Sequence, residues 1–544
     1  MKPVRFNIDP KDYKHIRVEV EGAIAKLIIA IPDDGGFRDD YQLKLNSYDI
    51  GVDVEIADAT RRLRYEHPEV SVVCITSGRD DGVFSAGANI FMLRTSDHAH
   101  KVNFCKFTNE TRCYIEETHE TSNQYYFAAL NGLSSGGGYE LPLACDEIHL
   151  VDDRRSAVSL PEVPYLAVLP GTGGLTRVVD KRKVRRDRAD IFCSLAEGIR
   201  GEKAVEWKLV DAVHPASSFD EKIAARLEEL AGDGNPHKGI DLSVLEVDYQ
   251  EDSATYEFVK VKIDQEKRVA TIELTGPSAE DSKIPKNAAD LGSDWYGLKF
   301  WRELDDAILN LRFNYYEVGT VIIKSKGSCE NVIALDNALE AQKDDWFIRE
   351  VLTEMKRVLK RIDYTSRTLF TFIEPESCFA GSFFEIALAS DRAYMMNHED
   401  EENFIGISVL NGGKFPMGNG ISRLETRFLD DAESVNNALG AIGKKLNAEQ
   451  AYELGLVTEI PDDIDWEDEV RIAVEERVSF SPDALTGMEA SLRFPGPETM
   501  ETKIFARLTA WQNWIFTRPN AVGERGGLTM YGDVKNAEFD WKRV

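Results

Sequence analysis

Two glycine-bearing segments carry the residue types best suited to chemistry in this sequence. The first, FSAGANI (84–90), follows an apolar run and a glycine turn, and the second is NGLSSGGGYELPLACD (131–146). Glycine lets a backbone approach a ligand without a Cβ in the way. The second segment also opens a predicted helix, so its first N–H groups point outward at the helix N-terminus. One amide from each segment can converge on a single oxygen and stabilise negative charge on a thioester carbonyl.

The surrounding sequence predicts an α/β fold that would position these segments. VSVVCIT (70–76) and TVIIKS (320–325) are continuous apolar runs, typical of strands buried on both faces. IADATRRLRYE (56–66) and ELDDAILNLRF (303–313) have helical periodicity. Strands that alternate with helices indicate parallel crossover units.

The chain is predicted to be a duplication. GGGYELPLACDEIHL (136–150) matches GSFFEIALASDRAYM (381–395), and PGTGGLTR (170–177) matches PMGNGISR (416–423), at nearly the same offset. We therefore expect four parts: a catalytic copy, a linker, a degenerate copy and a C-terminal helical region. Their expected bounds are 1–230, 231–255, 256–480 and 481–544. Within the last part, Ile504, Leu508, Trp511 and Ile515 are predicted to form one apolar helix face.

The first copy resembles the crotonase (enoyl-CoA hydratase/isomerase) superfamily. FSAGANI resembles the F-x-A-G-A-D-[IL] loop of that family, and NGLSSGGGYELPLACD resembles its N-G-x-x-x-G-G-G-x-E-L-x-x-x-C-D helix start. SLPEVPYLAVLPGTGGLTR (159–177) resembles a third family segment. The resemblance implies a tandem crotonase-like fold of the ClpP/crotonase class, built from ββα repeats.

The resemblance also implies the site residues. It places the oxyanion-hole amides on Ala86 and Gly137, and the carboxylates that act as acid and base on Glu140 and Glu162. Which glutamate is the acid stays open. One departure is Asn89, which stands where the family usually has an aspartate and removes a charge beside the loop.

The second copy departs further from the family pattern. FSAGANI aligns with VIALDNA (332–338), which puts Leu335 in the place of Gly87, and GGG becomes GSF. Ser408 takes the place of Glu162, although Glu385 is kept. Leucine and phenylalanine would obstruct close backbone approach. We expect the second copy to be catalytically silent.

Within the superfamily, the chain resembles a group of duplicated, acidic ring-opening lyases. The tail NAVGERGGLTMYGDVKNAEFDW (520–541) is part of that resemblance. It implies that 2,3-epoxy-2,3-dihydrobenzoyl-CoA and two waters become 3,4-dehydroadipyl-CoA semialdehyde and formate in aerobic benzoate degradation. The oxyanion hole would hold an enolate. No cofactor is implied, because coenzyme A is part of the substrate.

Four more residues are candidates for the site. Cys105 is expected on a helix over the acyl pocket, where its thiol would contact the ring or donate a weak hydrogen bond. The alternative is that Cys105 is a small buried hydrophobe. Ser134 and Tyr139 are candidate substrate contacts, with core filling as the alternative for Tyr139. Arg38 is a candidate for contact with coenzyme A.

The sequence also leaves three other functions open. GLSSG (132–136) matches the G-x-S-x-G nucleophile elbow of serine hydrolases, and His149 and His214 are available as partners. The G-G-G-x-E that follows favours the crotonase interpretation. An enoyl-CoA hydratase or isomerase acting on another acyl-CoA is a second enzyme alternative. A pseudoenzyme subunit that binds acyl-CoA is the non-enzyme alternative.

Composition restricts the partners. The 544 residues include 65 Lys and Arg against 95 Asp and Glu, a net charge of −30, which argues against nucleic-acid binding. No apolar run has membrane-spanning length, and the N-terminal residues lack a secretory pattern. Seven scattered cysteines favour reduced thiols in the cytoplasm. We expect a cytoplasmic homodimer that binds an acyl-CoA substrate, with no metal, nucleic-acid or membrane partner.

Overall fold

The computed structural model describes residues 2–429, 431–532 and 537–544. Residues 533–536, which belong to the tail used in the resemblance, lie outside the described residues. The chain divides into two compact units, Met1–Val244 and Leu245–Val544.

The first unit contains a six-stranded sheet with helices after most strands. Its strands are β1 Ile16–Glu21, β2 Ile24–Ile29, β3 Ser47–Tyr48, β4 Val72–Ser77, β5 Val83–Ser85, β6 Gly87–Ala88, β7 Tyr125–Leu130, β8 Leu133–Ser135, β9 Glu147–Asp152, β10 Val158–Ser159 and β11 Ala212–Pro215. Its helices are α1 Ile50–Glu66, α2 Ile90–Thr95, α3 His98–Ser122, α4 Gly137–Ala144, α5 Glu162–Leu166, α6 Gly174–Thr176, α7 Arg186–Ser194, α8 Glu202–Glu206 and α9 Phe219–Ala231.

The second unit contains a seven-stranded sheet and the C-terminal helices. Its strands are β12 Asp248–Tyr249, β13 Ser253–Thr255, β14 Val259–Asp264, β15 Val269–Thr275, β16 Thr320–Lys326, β17 Thr368–Ile373, β18 Arg392–Met395, β19 Ile405–Gly406 and β20 Lys445–Leu446. Its helices are α10 Tyr296–Asn314, α11 Cys329–Ala341, α12 Trp346–Tyr364, α13 Gly381–Ala389, α14 Arg423–Phe428, α15 Ala432–Leu439, α16 Ala448–Glu453, α17 Trp466–Val478, α18 Pro482–Leu492, α19 Met500–Thr502, α20 Thr509–Ile515 and α21 Pro519–Val522.

The two main sheets share one topology, as the duplication predicts. The first sheet has the order β1-β2-β4-β7-β9-β11, in which β1 and β2 are antiparallel and the later neighbours are parallel. In the second sheet, β14 and β15 are antiparallel, and β15-β16-β17-β18 are parallel. The α/β fold is therefore confirmed, and the two sheets repeat the same strand plan.

Helices cover the parallel strands in both units. In the first unit, Phe219, Ile223 and Leu227 of α9 pack on Val72 of β4 and Phe127 of β7. The apolar runs that predicted central strands are buried on both faces because this helix and others cover them. In the second unit, Trp466 and Ala473 of α17 pack on Phe370 and Phe372 of β17.

The predicted linker is not a free segment. Residues 232–244 pack on the first unit, where Ile240 N–H donates to Tyr65 O at 2.9 Å and Arg62 donates to Leu242 O at 2.8 Å. Residues 248–255 already form β12 and β13 of the second sheet. A composition rich in Gly, Asp and Ser suggested a linker, but backbone hydrogen bonds tie the segment to both units.

Two other expectations differ from the structure. VIALDNA (332–338) lies inside the helix α11, whereas FSAGANI (84–90) spans the short strands β5 and β6 and ends at the start of α2. The C-terminal segment is helical as predicted, but its apolar face is incompletely covered. Ile504 and Leu508 are exposed, while Trp511 and Ile515 lie against Gly487 of α18.

No helix in the described ranges has both the length and the apolar character needed to cross a membrane.

A buried carboxylate caps helix α13 in the second unit. Asp336 Oδ2 accepts hydrogen bonds from Ser382 N–H and from Ser408 Oγ–H, both at 2.7 Å. Gly381 has a φ of +48°, and a Cβ there would overlap the Asp336 carboxylate. Burial raises the pKa of Asp336 to about 7. The start of this helix is therefore closed by the protein itself.

We expect Asp336→Ala to lower the free energy of unfolding of the second unit by about 1–3 kcal/mol, because Ser382 N–H and Ser408 O–H lose their buried acceptor. Asp336→Asn keeps an oxygen in the same place and should cost less. Urea unfolding followed by circular dichroism measures both, and an alanine variant as stable as the asparagine variant would contradict this account.

The raised pKa also gives a pH dependence. In the unfolded chain this carboxyl ionises near its ordinary value of 3.8, but in the folded protein it ionises at about 7. The folded state therefore binds more protons between these values, and stability falls as the pH rises through that window. Asp336→Asn should show a flatter dependence of unfolding free energy on pH, and an unchanged slope would contradict the assignment.

Candidate active site

The two glycine-bearing segments of the first copy lie side by side. β5 pairs with β8 in parallel, which brings together the residues that follow them. A Cβ on Gly87 would lie 2.7 Å from Ser135 O and 2.8 Å from Gly137 N. Gly87 also has a φ of +86°, a conformation that side chains disfavour. Only glycine at position 87 allows this approach.

The Gly137 amide stands at the first position of helix α4. An N–H in the first turn finds no acceptor inside its own helix. The aligned peptide dipoles place partial positive charge at the same end. The predicted use of Gly137 as an oxyanion-hole donor therefore fits its place in the fold.

The predicted use of Ala86 as the second donor is wrong. Ala86 N–H donates to Leu45 O at 3.0 Å, so it is already engaged. β6 pairs in parallel with β3, and Asn89 N–H donates to Tyr48 O at 2.8 Å in that ladder. Because amide directions alternate along a strand, the Ala88 N–H points away from β3. Ala88 is therefore the candidate donor from this loop, and the positive φ of Gly87 is what breaks the alternation between Ala86 and Ala88.

Asn89 has a structural task at this loop. Its side-chain oxygen caps α2 by accepting from Met92 N–H at 2.9 Å, and its amide donates to Gln42 O and to Ser47 Oγ. An uncharged amide serves here because it both donates and accepts.

Glu140 lies on α4, three residues after Gly137, and is 2% exposed. Its Oε1 accepts from Gly174 N–H at 2.7 Å, and its Oε2 accepts from the Thr172 hydroxyl. Burial raises the pKa of Glu140, and these two hydrogen bonds oppose that rise. The carboxylate is held in one orientation by two donors.

Glu162 begins α5 and has different surroundings. It is 8% exposed, and its Oε1 faces Gly136, where a Cβ would lie 2.9 Å from it. Its Oε2 is buried without a hydrogen-bond partner among the described residues. Burial raises the pKa of Glu162 to about 7, and the charge of Glu140 adds to the rise. The two carboxyl groups thus lie at one site with different hydrogen-bond surroundings, and burial raises the pKa of both.

Cys105 lies on α3, close to the loop that contains Gly171 and Thr172. Its Sγ would be 3.8 Å from a Cβ on Gly171, next to Thr172. Burial raises the pKa of this thiol to about 12, with the charge of Glu140 as a further cause. At neutral pH it is a protonated thiol, which suits a packing contact or a weak hydrogen bond and does not suit a nucleophile.

Ser134 and Tyr139 do not face the site. Ser134 is fully buried, and its hydroxyl donates to Gly138 O at 2.9 Å. The Tyr139 hydroxyl donates to Leu209 O at 2.6 Å, and its ring packs edge-on against Phe192. Both predicted substrate contacts are corrected to structural roles, because their polar atoms are used by the backbone.

Arg38 stays a prediction for coenzyme A contact. Its guanidinium pairs with Asp40 at 3.0 Å and donates to Thr95 Oγ1 at 2.5 Å. A phosphate would have to compete with Asp40 for this side chain.

The serine hydrolase arrangement is not formed. His149 forms hydrogen bonds with Glu147 Oε1 at 2.7 Å and with His214 Nε2 at 3.0 Å. Neither histidine is therefore paired with Ser134. The Ser134 hydroxyl donates to a backbone carbonyl instead. Across the described ranges, no group of three or more His, Cys, Asp or Glu side chains is arranged to hold a metal ion.

The equivalent groups of the second copy are satisfied internally. Ser382 corresponds to Gly137, and its N–H donates a hydrogen bond to Asp336. Glu385, at the place of Glu140, accepts from Asn411 at 2.8 Å and from Arg423 at 3.1 Å. This closed arrangement supports the expectation that the second copy is silent.

Parts of the chain are similar to known proteins. The enoyl-CoA hydratase/isomerase family model matches residues 42–256. The fatty acid oxidation complex subunit alpha of Shewanella sp. (strain W3-18-1) is 30% identical over 167 residues, which cover 30% of this chain and 22% of that protein. A crystal structure of an enoyl-CoA hydratase from Geobacillus kaustophilus HTA426 has a TM-score of 0.36 and 34% identity, and covers 40% of this chain and 75% of that one.

A full-length relative is also found. Benzoyl-CoA-dihydrodiol lyase of Aromatoleum evansii is 52% identical over 544 residues, which cover 99% of this chain and 98% of that protein. Identity at this level over nearly the whole of both chains shows that this chain belongs to the benzoyl-CoA-dihydrodiol lyase family of the crotonase superfamily.

Proposed function

We propose that the protein is a ring-opening lyase that converts 2,3-epoxy-2,3-dihydrobenzoyl-CoA and two waters to 3,4-dehydroadipyl-CoA semialdehyde and formate in aerobic benzoate degradation. The full-length relative supports this substrate class. The observation that carries the chemistry is the pair Glu140 and Glu162 beside the Gly136–Gly137 turn, two buried carboxyl groups of which the first accepts two hydrogen bonds and the second has an oxygen without a partner among the described residues. An acyl-CoA bound there meets hydrogen-bond donors and an acid–base pair together.

The amides of Ala88 and Gly137 hold the thioester oxygen. Cleavage of the ring carbon–carbon bond next to the thioester leaves an electron pair on the α-carbon, which is delocalised onto that oxygen as an enolate. Preorganised N–H groups stabilise this charge more than they stabilise the neutral carbonyl, and such stabilisation is typically worth several kcal/mol. The partial positive charge at the N-terminus of α4 also stabilises the negative charge on this oxygen.

The surroundings of the two glutamates assign their roles. Glu162, with its pKa raised to about 7 and an unpaired Oε2, carries a proton near neutral pH and serves as the acid. Glu140 is held by Thr172 and Gly174, donors that favour its ionised form, so it serves as the base that activates water. Two carboxyl groups whose environments separate their pKa values can divide these tasks.

We also propose that the protein needs no cofactor and acts as a cytoplasmic homodimer. All seven cysteines are free thiols, which suits a reducing compartment. The exposed apolar residues Met500 and Phe505, at 78% and 69% exposure, support a contact between subunits. Light scattering tests the oligomeric state.

The first test of the proposed function is formate release from the epoxide of benzoyl-CoA in chelator-treated buffer. Wild-type protein should release formate, and Glu162→Gln should lower turnover by about a hundred- to ten-thousand-fold, because the amide cannot deliver a proton. Formate is measured with a coupled dehydrogenase assay, and circular dichroism checks that the variant is folded.

A matched pair of variants separates the two copies. Glu140→Gln should also abolish formate release, whereas Glu385→Gln, the same change at the equivalent position, should retain it wherever the protein remains folded. Hydration of crotonyl-CoA without formate would favour a hydratase, and CoA binding without turnover would favour a pseudoenzyme. Equal losses in folded Glu140→Gln and Glu385→Gln would contradict a silent second copy.

The pH dependence of turnover tests the acid. The pKa of Glu162 lies at about 7, so the protonated form is lost as the pH rises through that value, and turnover should fall on the alkaline side. Removal of the Glu140 charge lowers the pKa of Glu162 because that charge is one cause of the rise. NMR titration of labelled glutamate in Glu140→Gln should show this lower value, and an unchanged pKa would rule out coupling between the two groups.

Cys105 is proposed to contact the bound ring as a neutral thiol. Cys105→Ala should reduce turnover by about tenfold, the scale of a weak hydrogen bond and a packing contact. With its pKa raised to about 12, the thiol should also react slowly with iodoacetamide at neutral pH. Unchanged kinetics in Cys105→Ala would make the residue a packing residue only.

A further inference from the structure

Tyr48 is built into the candidate site by the strand pairing itself. It ends β3, which pairs in parallel with β6, and Tyr48 is the register partner of Ala88. The loop that offers the Ala88 amide and the residue Tyr48 are therefore fixed to each other by backbone hydrogen bonds. No motif in the sequence points to this tyrosine.

The hydroxyl of Tyr48 lies against Gly137. A Cβ on Gly137 would overlap the tyrosine oxygen, so glycine at position 137 is required for the ring to reach this point. Phe104 packs against the ring with centroids 6.0 Å apart, and the Arg112 guanidinium lies 5.7 Å from the ring centroid. Arg112 is itself paired with Asp53 at 2.8 Å. The ring is thus held firmly on both sides.

This hydroxyl is buried and unpaired. Tyr48 is 5% exposed, and its oxygen forms no hydrogen bond of normal geometry with any residue that the structure describes. Burial raises the pKa of the Tyr48 phenol, and Thr172 lies near enough to oppose that rise, but its hydroxyl donates to Glu140 and forms no hydrogen bond of normal geometry with Tyr48. A buried hydroxyl without a partner is costly, so such a group is uncommon unless a ligand completes it.

The second copy provides an internal comparison. Glu55, Asp58 and Arg64 of α1 match Glu303, Asp306 and Arg312 of α10 at an offset of 248 residues. The same offset takes Tyr48 to Tyr296. The Tyr296 hydroxyl donates to Thr275 O at 2.6 Å. Tyr296 is the first residue of α10. The tyrosine at the corresponding sequence position of the second copy thus has a backbone acceptor, whereas Tyr48 has none among the described residues.

We propose that the Tyr48 hydroxyl donates a hydrogen bond to the ring-bound oxygen of the substrate, which makes Tyr48 a catalytic residue; this inference rests on the proposed function. The thioester oxygen is taken by the amides of Ala88 and Gly137. One of the two epoxide carbons is bonded to the ring carbon that bears the thioester, so the epoxide oxygen lies on the same side of the substrate as the thioester oxygen that these amides bind. Negative charge develops on that oxygen as its carbon–oxygen bond opens.

Tyr48 acts as a donor that keeps its proton. Burial, together with the nearby charges of Asp53 and Glu140, raises the pKa of its phenol. The proton that the opened oxygen finally acquires comes from Glu162 or water, and the tyrosine supplies only the hydrogen bond.

The experiment compares Tyr48→Phe with Tyr296→Phe, since each change removes a single oxygen. Tyr48→Phe should lower kcat for formate release by about 10- to 100-fold, the scale of one hydrogen bond to a charged oxygen. Its melting temperature without ligand should equal or exceed that of the wild type, because an unpaired buried hydroxyl has been removed. Tyr296→Phe should show the reverse, with a lower melting temperature and normal turnover.

Affinity for benzoyl-CoA, which has the thioester oxygen but no ring oxygen, identifies the atom contacted. Unchanged affinity in Tyr48→Phe supports the ring oxygen, and weaker binding overturns that assignment. A lower melting temperature in Tyr48→Phe would show that the hydroxyl is bonded in the resting protein and would overturn the proposal, as would normal turnover. If wild-type protein releases no formate, the proposed function fails, which is a result distinct from normal formate release by Tyr48→Phe.

Discussion

The candidate site depends on one close approach, between the backbone at Gly87 and the start of α4 at Gly137. A Cβ at Gly87 would collide with the α4 segment, and a Cβ at Gly137 would collide with Tyr48. This approach places a helix N-terminus, an extended loop and two buried carboxyl groups around one volume. The positive potential of the helix N-terminus then acts on the same ligand as the two carboxyl groups, and this positive potential favours the charge of an enolate.

The two copies share one sheet topology, but the N-termini of their equivalent helices are used differently. In the first, the start of α4 offers amides to a ligand, whereas in the second the start of α13 is closed by the Asp336 carboxylate. That carboxylate accepts the hydrogen bond that the N–H at this position could otherwise donate to an oxyanion. The expected silence of the second copy therefore has two structural causes, the missing loop and an acidic side chain that already accepts the hydrogen bond from the Ser382 N–H.

Much of this could be predicted from the sequence. Continuous apolar runs predicted the central strands, and a nearly constant offset predicted the repeated plan. The glycine segments and Glu140 and Glu162 come together as expected. The motif does not show the direction of each amide, which is set by the φ of Gly87, and for that reason it indicates Ala86 whereas the structure favours Ala88. The orientation of Ser134 and the place of Tyr48 depend on tertiary contacts that no local pattern records.

The donors around each buried glutamate, by their number and their charge, distinguish the proposed roles more than burial does. Glu385 is fixed by Asn411 and by a charged arginine, so it remains part of a static network. Glu140 is held by the neutral donors Thr172 and Gly174, which orient it and leave it basic enough to activate water. Glu162 keeps an oxygen without a partner among the described residues, so protonation is its least costly buried form. A charged donor at Glu385, neutral donors at Glu140 and an oxygen without a described partner at Glu162 are thus the basis for the proposed division into a structural carboxylate, a base and an acid.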